Sequence, residues 1–201
     1  MPAPSPLERW PALVLAAGRG TRMGCPKALM TYRATPWWAW QQERLARAGV
    51  EATWVVSETV HAAMISKHDD QPLPRLVRAD DSAPMFASIL AGINSLELAT
   101  AAGVFILPVD TPAPTTTDTW AALAGAGTVA IPTYRGARGH PVALPIDWIV
   151  STLLPAAAGA DPSTLRLNSL AAPSARLIDV ADPAVSINLN TPDDLARLVL
   201  P

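Results

Sequence analysis

The 201-residue chain predicts an α/β fold around a mostly parallel sheet. Strand-like and helix-like segments alternate from about residue 12 to the end, the pattern of strands joined by crossover helices. Hydrophobic residues make up 50% of the chain and charged ones only 16%, which describes a packed globular protein and not a disordered one. The length suits one domain with room for a sizeable core.

The elements follow in order. Residues 12–17 form a short apolar strand. Thr35-Pro36 opens a helix, threonine as cap and proline in the first turn, that stops near Gly49. Residues 52–57 (ATWVVS) are the second strand, and a helix covers 58–67. Residues 84–98 are helical in pattern, and 103–107 (GVFIL) make a buried strand ending at Pro108. A helix at 117–124 leads to a strand at 129–132; a further strand follows at 140–144 and a helix at 146–154. Residues 175–180 and 186–189 are short strands, and 191–200 a terminal helix. The 21 prolines fall mostly at element boundaries, where they punctuate turns. Residues 69–74 are the most linker-like, yet too few to separate two domains. The expected organisation is a flexible tail at 1–10 and a single domain at 11–201.

Composition excludes several function classes. A net charge of −2 argues against a nucleic-acid surface, which needs a basic patch. The lone Cys25 allows no internal disulfide and no zinc cluster, as expected in a reducing cytoplasm. Residues 1–11 hold four prolines and no apolar core, so no signal peptide is expected. No run approaches the ~18 apolar residues of a membrane span.

The most informative stretch is LVLAAGRGTRMGCPKAL, residues 13–29. A buried strand empties into a turn with Gly18, Gly20 and Gly24, and Arg22 and Lys27 follow. Exposed backbone N–H groups in such a turn receive phosphate oxygens, and fixed cations supply the counter-charge. The spacing excludes a dinucleotide fingerprint, because the third glycine comes one residue late. It also excludes a Walker A loop, because Ala28 follows Lys27 where a hydroxyl is needed.

From Ala16 to Leu29 the stretch instead resembles the signature A-A-G-x-x-x-R-M-G-x-x-K-x-L of the MobA-like NTP-transferase family, specifically its molybdenum cofactor cytidylyltransferase branch. That resemblance implies a three-layer α/β/α fold of the Rossmann-like nucleotidyltransferase type. It assigns nucleotide binding to Ala16, Ala17, Gly18, Gly20, Arg22, Gly24 and Lys27, with Arg22 and Lys27 also catalytic.

Four further segments extend it. Asp110, in Pro108-Val109-Asp110-Thr111-Pro112, stands just past a buried strand, where open α/β folds bind ligands. Alone it fits a hard oxygen ligand for Mg²⁺ and a turn or helix cap equally well. The family's P-x-D-x-P segment implies a metal-binding, catalytic aspartate. Near the end, Asn188-Leu189-Asn190-Thr191-Pro192-Asp193-Asp194 resembles N-x-N-T-P-E-D; this implies a metal role for Asn188 and a turn-organising role for Asn190. Thr191, Pro192 and Asp194 also make a box-like helix start. The segment from Pro84 to Gly92 resembles G-M-x-x-S-L-x-A-G, which lies against base and ribose, and offers Ser88 as a nucleotide ligand. Pro84, in place of glycine, has no N–H to give a base. Met85, Ile89 and Ile93 equally suit a core face. Arg135 to Val142 carries two arginines and His140. The family's G-H-P-V implies acceptor binding by Arg138 and His140; a solvated hairpin is the other reading. Trp37, Trp38, Trp40 and Trp54 suit packing.

The implied reaction is nucleotidyl transfer with Mg²⁺: an acceptor phosphate oxygen attacks the α-phosphorus of an NTP, and pyrophosphate leaves. The guanylyltransferase branch begins its loop L-A-G-G. Ala17 here narrows that space and favours CTP. The implied acceptor is molybdopterin, with an acceptor enzyme for the product as the one protein partner to consider. Two alternatives stay open: transfer to a sugar phosphate or other phosphomonoester, and a non-catalytic nucleotide-binding module.

Overall fold

The computed structural model describes residues 7–20, 24–66 and 72–200. Its strands are β1 (Ala12–Ala16), β2 (Thr31–Tyr32), β3 (Thr35–Pro36), β4 (Ala52–Val56), β5 (Arg75–Arg78), β6 (Gly103–Pro108), β7 (Ala130–Tyr134), β8 (Ala137–Arg138), β9 (Val142–Pro145) and β10 (Arg176–Asp179). The helices are α1 (Trp37–Arg47), α2 (Glu58–Ser66), α3 (Met85–Asn94), α4 (Thr117–Ala124), α5 (Ile146–Trp148), α6 (Leu154–Gly159), α7 (Leu167–Ala171) and α8 (Pro192–Ala196). A π-helical stretch, Ile149–Leu153, joins α5 to α6.

The main sheet runs β10-β7-β9-β6-β1-β4-β5, with β8 added on β7. β9 is antiparallel to β6 and β7, and β8 to β7; the other pairs are parallel. β1 is buried along its whole length because it is central and covered on both faces. Alternation along it sends Val14 into a core with Trp37, Trp54, Phe105 and Trp120. Leu13 and Leu15 enter the opposite core with Ile89, Ile106 and Trp148. Helices α1, α2 and α4 cover the first face, and α3, the α5 stretch and α7 the second. These are three layers, α/β/α, as expected.

Some elements differ from expectation. Thr35-Pro36 does not start a helix. It pairs with Thr31-Tyr32 as a hairpin, and the helix begins at Trp37, whose N–H donates to the Met30 carbonyl at 2.6 Å. Residues 186–189 are not a strand, because their backbone is spent elsewhere. Ile187 N–H closes a 3-10 turn onto Ala184, and Leu189 N–H donates to the Asp110 carbonyl. The terminal helix stops at Ala196 rather than near 200. Strand β5 and helix α7 were not anticipated: both are short, and neither follows a clear period. Residues 7–10, expected in the tail, are packed instead. Leu7 and Trp10 are buried, Trp10 lies 5.1 Å from Phe105 between ring centres, and the Arg9 carbonyl accepts from Ala102 N–H.

Candidate active site

The strand order switches sides at β1, which lies between β4 and β6 and runs parallel to both, so the carboxyl ends of β1 and β6 open on the same side of the sheet. That is where ligands of open α/β sheets bind. β1 delivers Ala17, Gly18 and Gly20; β6 delivers Pro108, Val109 and Asp110; a 3-10 turn, Lys27–Leu29, delivers Lys27. Together with Ser88 of α3, they line a cavity of about 210 Å³. Gly20 has φ +62°, and a Cβ there would run into the Cys25 carbonyl, so this tight turn demands glycine.

Asp110 and Lys27 meet directly. Lys27 Nζ lies 2.8 Å from Asp110 Oδ2, with side chains 17% and 26% exposed. It also lies 3.5 Å from Asn190 Oδ1. The site thus joins three parts of the sequence that lie far apart.

Asp110 is held from behind. Trp37 Nε1 donates to the Val109 carbonyl at 2.7 Å. The buried Gln41 amide donates to the Thr111 carbonyl at 2.8 Å and accepts from Ala113 N–H at 2.7 Å. Neither role was visible in the sequence, where Trp37 reads as packing and nothing singles out Gln41.

Beyond Asp110 the cavity continues. An adjoining space of about 510 Å³ is lined by Met85, Asp110, His140, Asn168 and Asn188. Next to it, about 400 Å³ is lined by Arg138, His140, Asn168 and Asn188. His140 is seated because its N–H donates to the Val185 carbonyl at 2.8 Å, and a Cβ on Gly139 would strike that same carbonyl. Burial pushes the His140 pKa below the usual imidazole range, and nearby Asp110 opposes this only in part, so the ring is neutral at pH 7.

The expected residues are therefore distributed as follows. Ala17, Gly18, Gly20, Lys27, Ser88 and Asp110 line one cavity. Ala16 is buried in β1 directly before it, and Gly24 (φ +74°) shapes the loop without lining the cavity. Arg22 lies outside the described residues. Arg138, His140 and Asn188 line the neighbouring spaces. Arg135 sits at positive φ in the β7–β8 turn with its guanidinium over Tyr134, as the hairpin reading has it. Asn190 has more than a turn role. Its N–H donates to Asp194 Oδ2, while its side chain, rather than that of Asn188, reaches Lys27. The capping box of Thr191 and Asp194 forms as read. Asp80 and Asp81 also line the first cavity, and were missed. Asp81 pairs with Arg19 at 3.0 Å, and Asp80 accepts from the hydroxyl and N–H of Ser82, which holds its pKa below the usual range. Their only signal was two adjacent acids before Pro84.

A family model described as "MobA-like NTP transferase domain" matches residues 12–172. The chain belongs to this family. Its members are nucleotidyltransferases, and the matched region holds the glycine turn, Lys27, Asp110 and His140. No curated protein matches the sequence. Solved structures share the fold. An Rv0371c homologue from Mycobacterium sp. strain JC1 is 21% identical, with 94% of each chain covered and a TM-score of 0.73. A nucleotidyl transferase from Methanothermobacter thermautotroptrophicus is also 21% identical, covering 94% of this chain and 95% of its own, with a TM-score of 0.70. Molybdopterin-guanine dinucleotide biosynthesis protein A from Archaeoglobus fulgidus is 17% identical, covering 92% and 95%, with a TM-score of 0.66. Among the described residues, no helix of this MobA-like transferase is long and apolar enough to cross a membrane.

Proposed function

We propose that the protein moves a CMP group from CTP to the phosphate of an acceptor, molybdopterin being the acceptor favoured, and releases pyrophosphate. The observation that carries this reading is the Lys27–Asp110 pair at the mouth of the glycine turn, with a second space opening beyond Asp110. The triphosphate lies along Gly18, Gly20 and Lys27 in the first cavity, and the acceptor phosphate approaches from the side of His140 and Asn188. An acceptor phosphate oxygen forms a bond to the α-phosphorus as the bond to the β-phosphate oxygen breaks. The chain's part is positioning and charge neutralisation. Lys27 neutralises phosphate oxygens, a role the family signature also gives to Arg22, and the turn amides hold the departing pyrophosphate. Neutral His140 contributes an uncharged hydrogen-bonding group beside the acceptor without repelling Lys27.

The donor set fits a divalent ion. Among the described residues no three His, Cys, Asp or Glu side chains gather; Asp110 offers a carboxylate, and Asn188 and Asn190 offer amide oxygens nearby. One carboxylate completed by substrate phosphates suits Mg²⁺, which keeps several waters and seldom needs a protein cage. When bound, the ion supplies further positive charge to the triphosphate. The structure of Rv0371c from Mycobacterium tuberculosis, with a TM-score of 0.61, is described as a manganese complex.

Ala17 lines the first cavity, and its methyl narrows the base side in favour of a pyrimidine. Pyrophosphate release from each of the four NTPs with Mg²⁺, with molybdopterin, with a hexose 1-phosphate and with no acceptor, tests the reading. Release from CTP that depends on molybdopterin is expected. Release that depends on the sugar phosphate instead would move the assignment to that acceptor, and a GTP preference would overturn the cytidylyl assignment.

A further inference from the structure

We propose that Lys27 occupies the cation position of the nucleotide-free site, so that a divalent ion gains Asp110 only as a triphosphate draws Lys27 away. The inference rests on the reading that Asp110 serves a metal. Asp110 Oδ2 and Asn190 Oδ1 come from the end of β6 and from the turn before α8, and both converge on Lys27 Nζ, at 2.8 and 3.5 Å. Two hard oxygens around one positive charge is what a cation site offers. Here the chain's own ammonium fills it.

The pair is sheltered, with side chains only 17% and 26% exposed, so solvent and salt screen it less than a surface pair. A divalent ion seated at the same carboxylate would lie against the ammonium, and like charges at that distance repel strongly. The ion alone must therefore expel Lys27 into the glycine-turn cavity, where the lining carboxylates already have partners, Asp81 in Arg19 and Asp80 in Ser82. A triphosphate changes this balance. Lys27 also lines the cavity of the glycine turn, and its flexible four-carbon stem lets the ammonium move to phosphate oxygens placed there. The nucleotide then frees the Asp110 oxygen. Linkage requires the converse: a metal on Asp110 tightens triphosphate binding by the same factor.

The test is binding of Mn²⁺ without nucleotide, read by the electron paramagnetic resonance signal of the free ion. Wild type, Lys27→Met and Asp110→Asn are compared, with circular dichroism to confirm folding. Lys27→Gln replaces Lys27→Met if the latter does not fold. Wild type is expected to bind weakly. Lys27→Met is expected to bind at least about fivefold more tightly, the low end of ordinary coupling between sites, and Asp110→Asn introduced into it should abolish the gain. A non-hydrolysable CTP analogue should tighten Mn²⁺ binding in wild type far more than in Lys27→Met. A smaller gain, or a loss, in the folded Lys27 variant overturns the proposal. Pyrophosphate release separates this failure from that of the functional reading. An active wild type with no metal gain on removing Lys27 loses only the exchange, whereas a metal gain in an inactive protein keeps the exchange and loses the transferase reading.

Discussion

Gln41→Ala is expected to unfold the protein more easily and to slow it, although Gln41 touches no substrate. The side chain is wholly buried and ties α1 to the segment that carries Asp110. Its removal strips the Thr111 carbonyl of a 2.8 Å donor and the Ala113 N–H of a 2.7 Å acceptor. The Val109 carbonyl keeps Trp37 Nε1, so two groups and not three lose their partner. A buried polar group left unsatisfied costs about 1–3 kcal/mol, which gives about 2–6 kcal/mol in all. At about 2–4 °C per kcal/mol for a chain of this size, the lower bound is a fall in Tm of at least about 4 °C. Urea unfolding followed by circular dichroism reads the stability, and pyrophosphate release at a temperature where the variant stays folded reads the rate. A loss below about 0.5 kcal/mol, the range of neutral surface changes, would refute the claim that Gln41 fixes this segment. Lost stability with unchanged turnover would show that the segment keeps its place without Gln41.

Three further outcomes are expected. Ala17→Gly should shift the ratio of kcat/KM for CTP over GTP toward GTP by about 10–100-fold, since one methyl in a pocket is worth about 1–3 kcal/mol; an unchanged ratio removes Ala17 from base selection. The lowered His140 pKa means that the unfolded chain binds a proton which the folded one refuses, so stability is fullest above about pH 6.5 and falls as pH drops toward the folded value. His140→Gln should flatten that slope between pH 7 and 5 in urea titrations, and an identical slope in both proteins would place its cause elsewhere. Thr191→Ala removes a capping box and should cost about 1 kcal/mol, read as a lower urea midpoint; no change would mean the cap is dispensable in its tertiary setting.

The sequence disclosed what local chemistry encodes. The apolar run at β1 and the Thr191 cap each announce themselves within a few residues, and each forms where read. β5 lies at the sheet edge with half-exposed Leu76 and Val77 between arginines, so burial leaves little pattern to find there. Thr35-Pro36 satisfies helix-start chemistry, yet pairing with Thr31-Tyr32 wins it for a hairpin. The site divides in the same way. Lys27 and Asp110 were found through motifs, but their contact spans 83 positions. The grip of Gln41 on the Asp110 segment spans 70, and only tertiary packing reveals it. Asn188 and Asn190 differ by two residues and have the same side chain. Which of them reaches Lys27 follows from the turn that Leu189 and Asp194 impose, and spacing alone does not encode that.

The most direct test of the central claim follows the label from α-phosphorus-labelled CTP in the presence of Mg²⁺ and molybdopterin, with wild type and Asp110→Ala side by side. Wild type should move the label to the acceptor in step with pyrophosphate, while the folded Asp110→Ala variant should lose about 10²-fold or more, as when one preorganised charge-stabilising group is removed. Label that stays in CTP with folded wild type, or that Asp110→Ala transfers at near the wild-type rate, would contradict a transferase centred on Asp110.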